Sequence, residues 1–337
     1  MQILFPVFRF SLSSLFLILP FFLWGTTMVV MKGVLAHTTP LFMAGLRLIP
    51  AGILILVAAA FMGKSQPQGW NAWLWITIFA FVDGTLFQGF LVEGLVKTSA
   101  GLGSVIIDSQ PLAVALISSW LFKERIGLYG WLGLSIGAIG ISLIALSDNL
   151  TFHDIHLFIP SIAELSPYDM LLSFTENGEH LMLVAALSMA VGTILIRFVS
   201  RYADPITSTG WHMIIGGLPL WFVSGISESN PLINLGFSDW FILGYMAVFG
   251  SAIAYGLFFY FAFQGNLINL SSLTFLTPVF ALIFGYFWLH EVLSVLQWVG
   301  VGLTLISIYL INQREKLTGK HYLEIQSGAG NDKNGHL

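Results

Sequence analysis

Two aspartates, Asp83 and Asp108, each stand about midway along an apolar run, and Arg47 is the one cation set away from the ends of such a run. An ionised aspartate at the centre of a bilayer costs about 2.5–3.5 kcal/mol on insertion scales, so each acid must face protein or water. Two roles fit those constraints. One carboxyl accepts a proton or the cationic part of a solute, or Arg47 pairs with it and fixes helix packing. Trp24, Gln88, Gln110, Trp211, His212, Tyr255 and Thr277 bring hydrogen-bonding edges or aromatic faces to otherwise apolar segments and complete the candidate substrate- or ion-binding set. Trp24 is distinctive because tryptophan usually anchors at the interface, and this one falls in mid-span. The two acids could also act as acid and base of an intramembrane enzyme, but no nucleophile stands beside a partner base.

Those residues need helices to carry them. The run of Ser99, Ser104, Asp108, Ser109 and Gln110 is polar and becomes apolar after Pro111; Ser271, Ser272, Thr274 and Thr277 do the same before Pro278. Pro111 and Pro278 each remove a backbone donor and bend their helix, freeing carbonyls that need a partner. Both belong to an ungapped internal repeat displaced by 167 positions, which lays Pro111, Glu124, Trp131 and Gly133 onto Pro278, Glu291, Trp298 and Gly300. Ser104, Ile139 and Ile144 recur at the same spacing. Such duplication is common in membrane transporters. His212 falls where Arg47 maps if the offset shortens by two, which places the two on equivalent helix faces.

With 56% hydrophobic and 9% charged residues, the chain departs far from a soluble domain, where about 25% is charged. Its 337 residues accommodate ten spans of about 20 residues and short connections, without a large soluble head. The absence of cysteine excludes disulfides and thiolate metal sites, and the eight histidines lack paired spacing, so no metal or cofactor is expected. Gly63-Lys64-Ser65 is no phosphate loop, because Ala58 occupies the first glycine position. Nothing calls for a nucleic-acid partner; the expected partners are the lipid bilayer, a small-molecule substrate, protons and a second copy of the chain.

Apolar runs near 12–34, 41–62, 71–93, 99–121, 127–147, 180–200, 206–226, 239–262, 271–289 and 294–312 make two sets of five. The third could stop before Glu93. The first continues well past a signal-peptide core and reads as a retained span. Arg9, Lys64, Lys123, Arg125, Arg197, Arg201, Arg314, Lys316, Lys320 and Lys333 fall on one side, against Lys32 and Lys97 on the other, which places both termini in the cytoplasm. Five spans per copy then force opposite orientations. Consistent with that, Lys123-Glu124-Arg125 becomes His290-Glu291-Val292 in the second copy: the acid repeats and the cations vanish. The expected organisation is a first five-helix repeat over 1–147, an acidic extracytoplasmic connection over 148–179, a second repeat over 180–313 and a polar cytoplasmic tail over 314–337. Gly130, Gly133, Gly137 and Gly140 share one face of the fifth span and allow a close helix neighbour, in the same chain or in a dimer. Glu124 and Glu291 are expected to hold matching turns at opposite surfaces.

WGTTMVVMK at 24–32, Arg47-Leu48, GTLFQGFL at 84–91 and the duplicated Pro-to-Glu-to-Trp-Gly run resemble the drug/metabolite transporter superfamily, in particular its EamA-type members. The resemblance covers nearly all ten spans. It implies an all-α integral membrane fold of ten transmembrane helices in two inverted five-helix repeats, moving small organic solutes, commonly outward. The acidic 148–179 connection is longer than such proteins often have, and Asp83 and Asp108 match no general motif of the superfamily. Taken together, the expected function is secondary transport, as an exporter, of a small metabolite or amphipathic organic compound by alternating access, with proton coupling open. An intramembrane enzyme and a non-transporting assembly protein whose 148–179 segment binds a partner are the alternatives. A bacterial inner membrane is the simplest location, since the start of the chain lacks an Arg- and Ser-rich transit sequence.

Overall fold

A computed structural model describes residues 12–98, 103, 106–123, 126–145, 178–232, 234–264, 267–289, 294–296 and 298–311. Among them every regular element is helical. Leu12–Val34 forms α1, Pro40–Phe61 α2, Trp70–Lys97 α3, Ile106–Phe122 α4 and Gly127–Ala145 α5. Gly178–Val199 forms α6, Pro205–Ser227 α7, Phe237–Gln264 α8, 267–289 α9 and Trp298–Ile311 α10. Five stretches, Leu15–Val34, Pro40–Phe61, Trp70–Lys97, His180–Val199 and Phe237–Gln264, are long and apolar enough to cross a membrane. The chain is thus an all-helical integral membrane protein. Its outer surface agrees: Trp120 is 81% exposed and Phe61 89%, an arrangement that lipid favours and water does not.

The third span does not stop before Glu93; α3 continues to Lys97. Its extra length comes with a π-helical segment, Ala80–Phe87, and α8 contains a second, Met246–Ile253. Such segments widen the turn and loosen the regular ladder, and they recur at functional sites. In α4 the irregularity is a turn at Ser109, where the Leu112 amide donates to the Ser109 carbonyl at 3.0 Å. In α9 it is the 3-10 turn Leu273–Phe275, between Leu267–Ser272 and Leu276–Leu289. Pro111 and Pro278 each sit in the first turn after the break, where a missing amide costs least.

The core is made by close helix crossings. α2 lies along α7, where a Cβ on Gly52 would meet the Gly210 carbonyl oxygen at 2.5 Å. α7 also meets the π segment of α3, and a Cβ on Gly84 would come within 2.8 Å of the Gly216 Cα. Only glycine permits that approach, and dispersion between the two backbones rewards it. Further contacts join α1 with α9 and α8, α6 with α4 and α3, and α2 with the π segment of α8. The glycine face of α5 is covered within the chain. A Cβ on Gly140 would meet Thr304 Oγ1 at 2.8 Å, and Ser307 Oγ donates to the Gly133 carbonyl at 2.6 Å. A dimer therefore cannot use that face.

Two clasps tie the loops at the helix ends. At one, His37 Nδ1 lies 3.0 Å from Asp239 Oδ1, and the Leu41 and Phe42 amides donate to the Glu228 carboxylate at 2.8 and 2.9 Å. At the other, Lys64 Nζ lies 3.4 Å from Asp204, and Thr207 Oγ1 donates to the Ser65 carbonyl at 3.1 Å. Ser99, Ser104, Glu124, Arg125, residues 148–177 of the connection, His290, Glu291, Val292 and the 314–337 tail lie outside the described residues.

Candidate functional site

A stripe along α1 starts the site. Trp24, Thr27, Met28 and Met31 recur at helical spacing, so all face one cavity of ≈ 50 Å³. Arg47 of α2, Phe87 of α3, Asp108 and Gln110 of α4, Tyr255 of α8, and Thr274 and Thr277 of α9 close it. The polar ends of α4 and α9 therefore reach a common chamber, which their breaks at Ser109 and Leu273–Phe275 aim inward.

The chamber wall holds buried polar atoms that no hydrogen-bond partner satisfies among the described residues. They are Trp24 Nε1, Thr27 Oγ1, Arg47 Nε, Gln110 Oε1 and Thr277 Oγ1. Each carries a desolvation cost of about 1–3 kcal/mol, so their gathering on one cavity marks a place for polar contacts from water or solute. Gln110 is held by donating through Nε2 to Thr193 Oγ1 of α6 at 3.1 Å, which leaves its oxygen free to point elsewhere. Asp108, 4% exposed, meets the chamber without a cationic partner among the described residues.

Arg47 does not pair with either aspartate, which corrects the packing role considered above. Its Nη2 donates to Gln88 Oε1, and Nη1 contacts Met31 Sδ at 3.6 Å. Gln88 Nε2 in turn donates to the Tyr255 hydroxyl at 2.7 Å, so the amide of one side chain serves cation and phenol together. Gln88 is set for this at the end of the π segment, one helical turn past Gly84. Trp24 packs against Tyr255 with ring centroids 4.9 Å apart, fixing the aromatic wall.

Asp83 is paired elsewhere. It is fully buried, and Oδ2 lies 2.9 Å from His212 Nε2 of α7. His212 Nδ1 lies 2.9 Å from the Thr209 carbonyl, and its ring stacks on Phe79 at 4.2 Å. Asp83 and His212 are not among the chamber-lining residues; they sit behind its wall. Trp211 points away as well: its Nε1 donates to Gln66 Oε1 at 2.9 Å near the Lys64–Asp204 clasp. Adjacent positions on a helix differ by about 100°, and here Trp211 and His212 turn to different partners, Gln66 and Asp83.

Comparison with known proteins decides the class. Residues 11–146 and 177–313 match the EamA-like transporter family. The chain belongs to that family. Membership makes it a membrane transporter with a small-molecule substrate, not an enzyme. It is 61% identical over 305 residues to Uncharacterized transporter sll0355 of Synechocystis sp., covering 90% of this chain and 91% of that protein. It is 50% identical to the chloroplastic WAT1-related protein At3g02690 of Arabidopsis thaliana, over 88% of this chain and 68% of that one. The Uncharacterized inner membrane transporter YedA of Escherichia coli K12 is 25% identical over 86% and 87% of the two chains. A crystal structure at 16% identity aligns over 89% of this chain and 96% of that one, with a TM-score of 0.70, and supports the fold alone.

In this EamA-family chain the two matched segments share the chamber: α1 to α4 come from the first, and Tyr255, Thr274 and Thr277 from the second. Thr274 belongs to the polar run read before Pro278, whereas Thr27 and Met31 were not among the candidate binding residues. Thr27 and Met31 stand three and seven positions after Trp24, so the helical stripe was their signal. Thr193, which holds Gln110, had no comparable signal.

Proposed function

We propose that the protein exports a small metabolite or amphipathic organic compound by alternating access, with the α1–α2–α4–α8–α9 chamber as its binding site. The observation that carries this reading is the set of five unpartnered buried polar atoms around a chamber shared by both matched segments. At ≈ 50 Å³ the chamber suits a few waters, so an organic solute needs it to widen. Asp108 and Arg47 provide opposite charges for solute groups, while Trp24, Phe87 and Tyr255 offer apolar faces.

The helices are arranged as ten spans in two inverted repeats, 1–147 and 180–313, joined by an acidic extracytoplasmic segment over 148–179 and ending in a cytoplasmic tail over 314–337. Three features support this. The π segments are displaced by 166 residues, close to the sequence repeat of 167. Exchanging α1–α4 with α6–α9 maps the α1–α9 contact onto α6–α4 and α2–α8 onto α7–α3. The His37–Asp239 clasp likewise joins the α1–α2 loop with the α7–α8 region, as Lys64–Asp204 joins the α2–α3 loop with the α6–α7 loop. Both termini are cytoplasmic and the location is a bacterial inner membrane, in line with the name of YedA. The chloroplastic name of At3g02690 makes a plastid membrane the second reading.

Proteoliposomes loaded with a desalted small-molecule extract of cells test the function. Selected components should leave faster than from protein-free vesicles, and Asp108→Asn together with Trp24→Ala should suppress that release. Equal release with and without protein would remove the proposal.

A further inference from the structure

The Asp83–His212 contact allows a proton to be counted. A carbonyl oxygen only accepts, so the 2.9 Å contact from His212 Nδ1 to the Thr209 carbonyl requires a hydrogen on Nδ1. Nε2 is then an acceptor unless the ring is doubly protonated. Its 2.9 Å contact with Asp83 Oδ2 would otherwise set two lone pairs against each other, so one proton lies between them. Asp83 Oδ1 is buried without a hydrogen-bond partner among the described residues. Asp83 and His212 come from different matched segments, so this proton lies across the junction of the two halves.

We infer that Asp83 and His212 form a proton-binding site behind the solute chamber, loaded and emptied once per transport cycle. The inference rests on the transporter reading above. The π segment Ala80–Phe87 connects the two places: it carries Asp83 in its first turn, and Phe87 at its end lines the chamber. A change of register there moves the carboxyl relative to His212 and the chamber wall together. With the bond open, water reaches the pair; the proton leaves to water on one side and is replaced from the other, so the pair regains its starting protonation state and one proton crosses the membrane per cycle.

The surroundings leave few competitors. On α6 the neighbour is Gly192, whose Cβ would stand 2.7 Å from the Asp83 Cβ, and its ionisable residues, Glu179, His180 and Arg197, lie toward the ends. Asp83 is the only ionisable group of its π segment, with Glu93 and Lys97 at the far end of α3; His212 is the only one on α7. α2 presents Arg47 and α8 Tyr255, both tied to Gln88, and α4 presents Asp108 to the chamber.

Asp83→Asn separates proton carriage from packing, because an asparagine amide still donates to Nε2 but holds no exchangeable acid proton. Extract-loaded proteoliposomes are compared with and without a proton gradient directed against solute flux. The expected result is that the gradient accelerates release by the wild type, and that Asp83→Asn retains folding while losing the acceleration. Acceleration undiminished in Asp83→Asn, or a wild type indifferent to the gradient, overturns the proton site while leaving transport standing. No release by the wild type removes the transporter reading itself. Should Asp83→Asn not fold, His212→Gln is judged in the same way, and failure of both to fold assigns the pair to packing and overturns the inference.

Discussion

Arg47 shows how a single charge is made tolerable in lipid. A guanidinium offers five donors, and burial without acceptors would be far costlier than the helix could sustain. Gln88 is its oxygen acceptor among the described residues, and Gln88 is itself oriented by Tyr255. Gln88→Leu is nearly the same size but withdraws that acceptor. It should destabilise the protein by about 1.5–3 kcal/mol, the usual range for a hydrogen bond to a charged group, read as a lowered melting temperature in detergent. Tyr255→Phe should cost less, because Arg47 keeps its oxygen. A melting temperature unchanged by Gln88→Leu would show that Arg47 finds water instead. The residue types were legible in advance, but the partners were not: Arg47 and Gln88 are 41 positions apart and Asp83 and His212 129.

Helix ends depend on partners as much as side chains do. α2 starts at Thr39-Pro40, yet Thr39 makes no capping hydrogen bond; Glu228 supplies it from the far end of α7. A carboxylate there satisfies two open amides and meets the positive end of the helix dipole. Asp204 caps α7 locally, accepting from the Ile206 and Thr207 amides at 2.9 and 3.4 Å. Glu228→Ala should therefore loosen α2 by about 0.5–2 kcal/mol. Hydrogen exchange at Leu41 and Phe42 should quicken while the amides of α7 at Ile206 and Thr207 stay as they were. Equal protection in both proteins would mean that water caps α2 as well. The Asp204-Pro205 cap could be read from neighbouring letters, whereas the Glu228 cap required knowledge of which loops meet.

For the whole molecule, the proposed inversion makes a geometric demand. The two clasps must lie on opposite faces of the bilayer, with His37 and Asp239 outside and Lys64 and Asp204 inside. Because the chain has no cysteine, single replacements report without background. In intact bacterial cells His37→Cys should react with a membrane-impermeant maleimide, and Lys64→Cys should react only after the membrane is opened. Reaction of both from outside would defeat the inverted arrangement. The length of α3 and α8, 28 residues each, is also a property of this scale. Both exceed the roughly 20 needed to span, and both accommodate a π segment midway.

Composition alone placed this chain in lipid, since so few charges leave no other solvent for its helices. Proline, glycine and glutamate recurring at one offset exposed the duplication, and a handful of polar letters in apolar runs exposed the residues available for work. Those conclusions rest on local chemistry, which is written in order along the chain. Which acid meets the chamber and which meets a histidine depended on helix rotation and on contacts between distant segments. Lipid favours any apolar face equally, so hydrophobicity cannot orient a helix about its own axis; the crossings at Gly52 and Gly216 and the hydrogen bonds of Gln88 and His212 do.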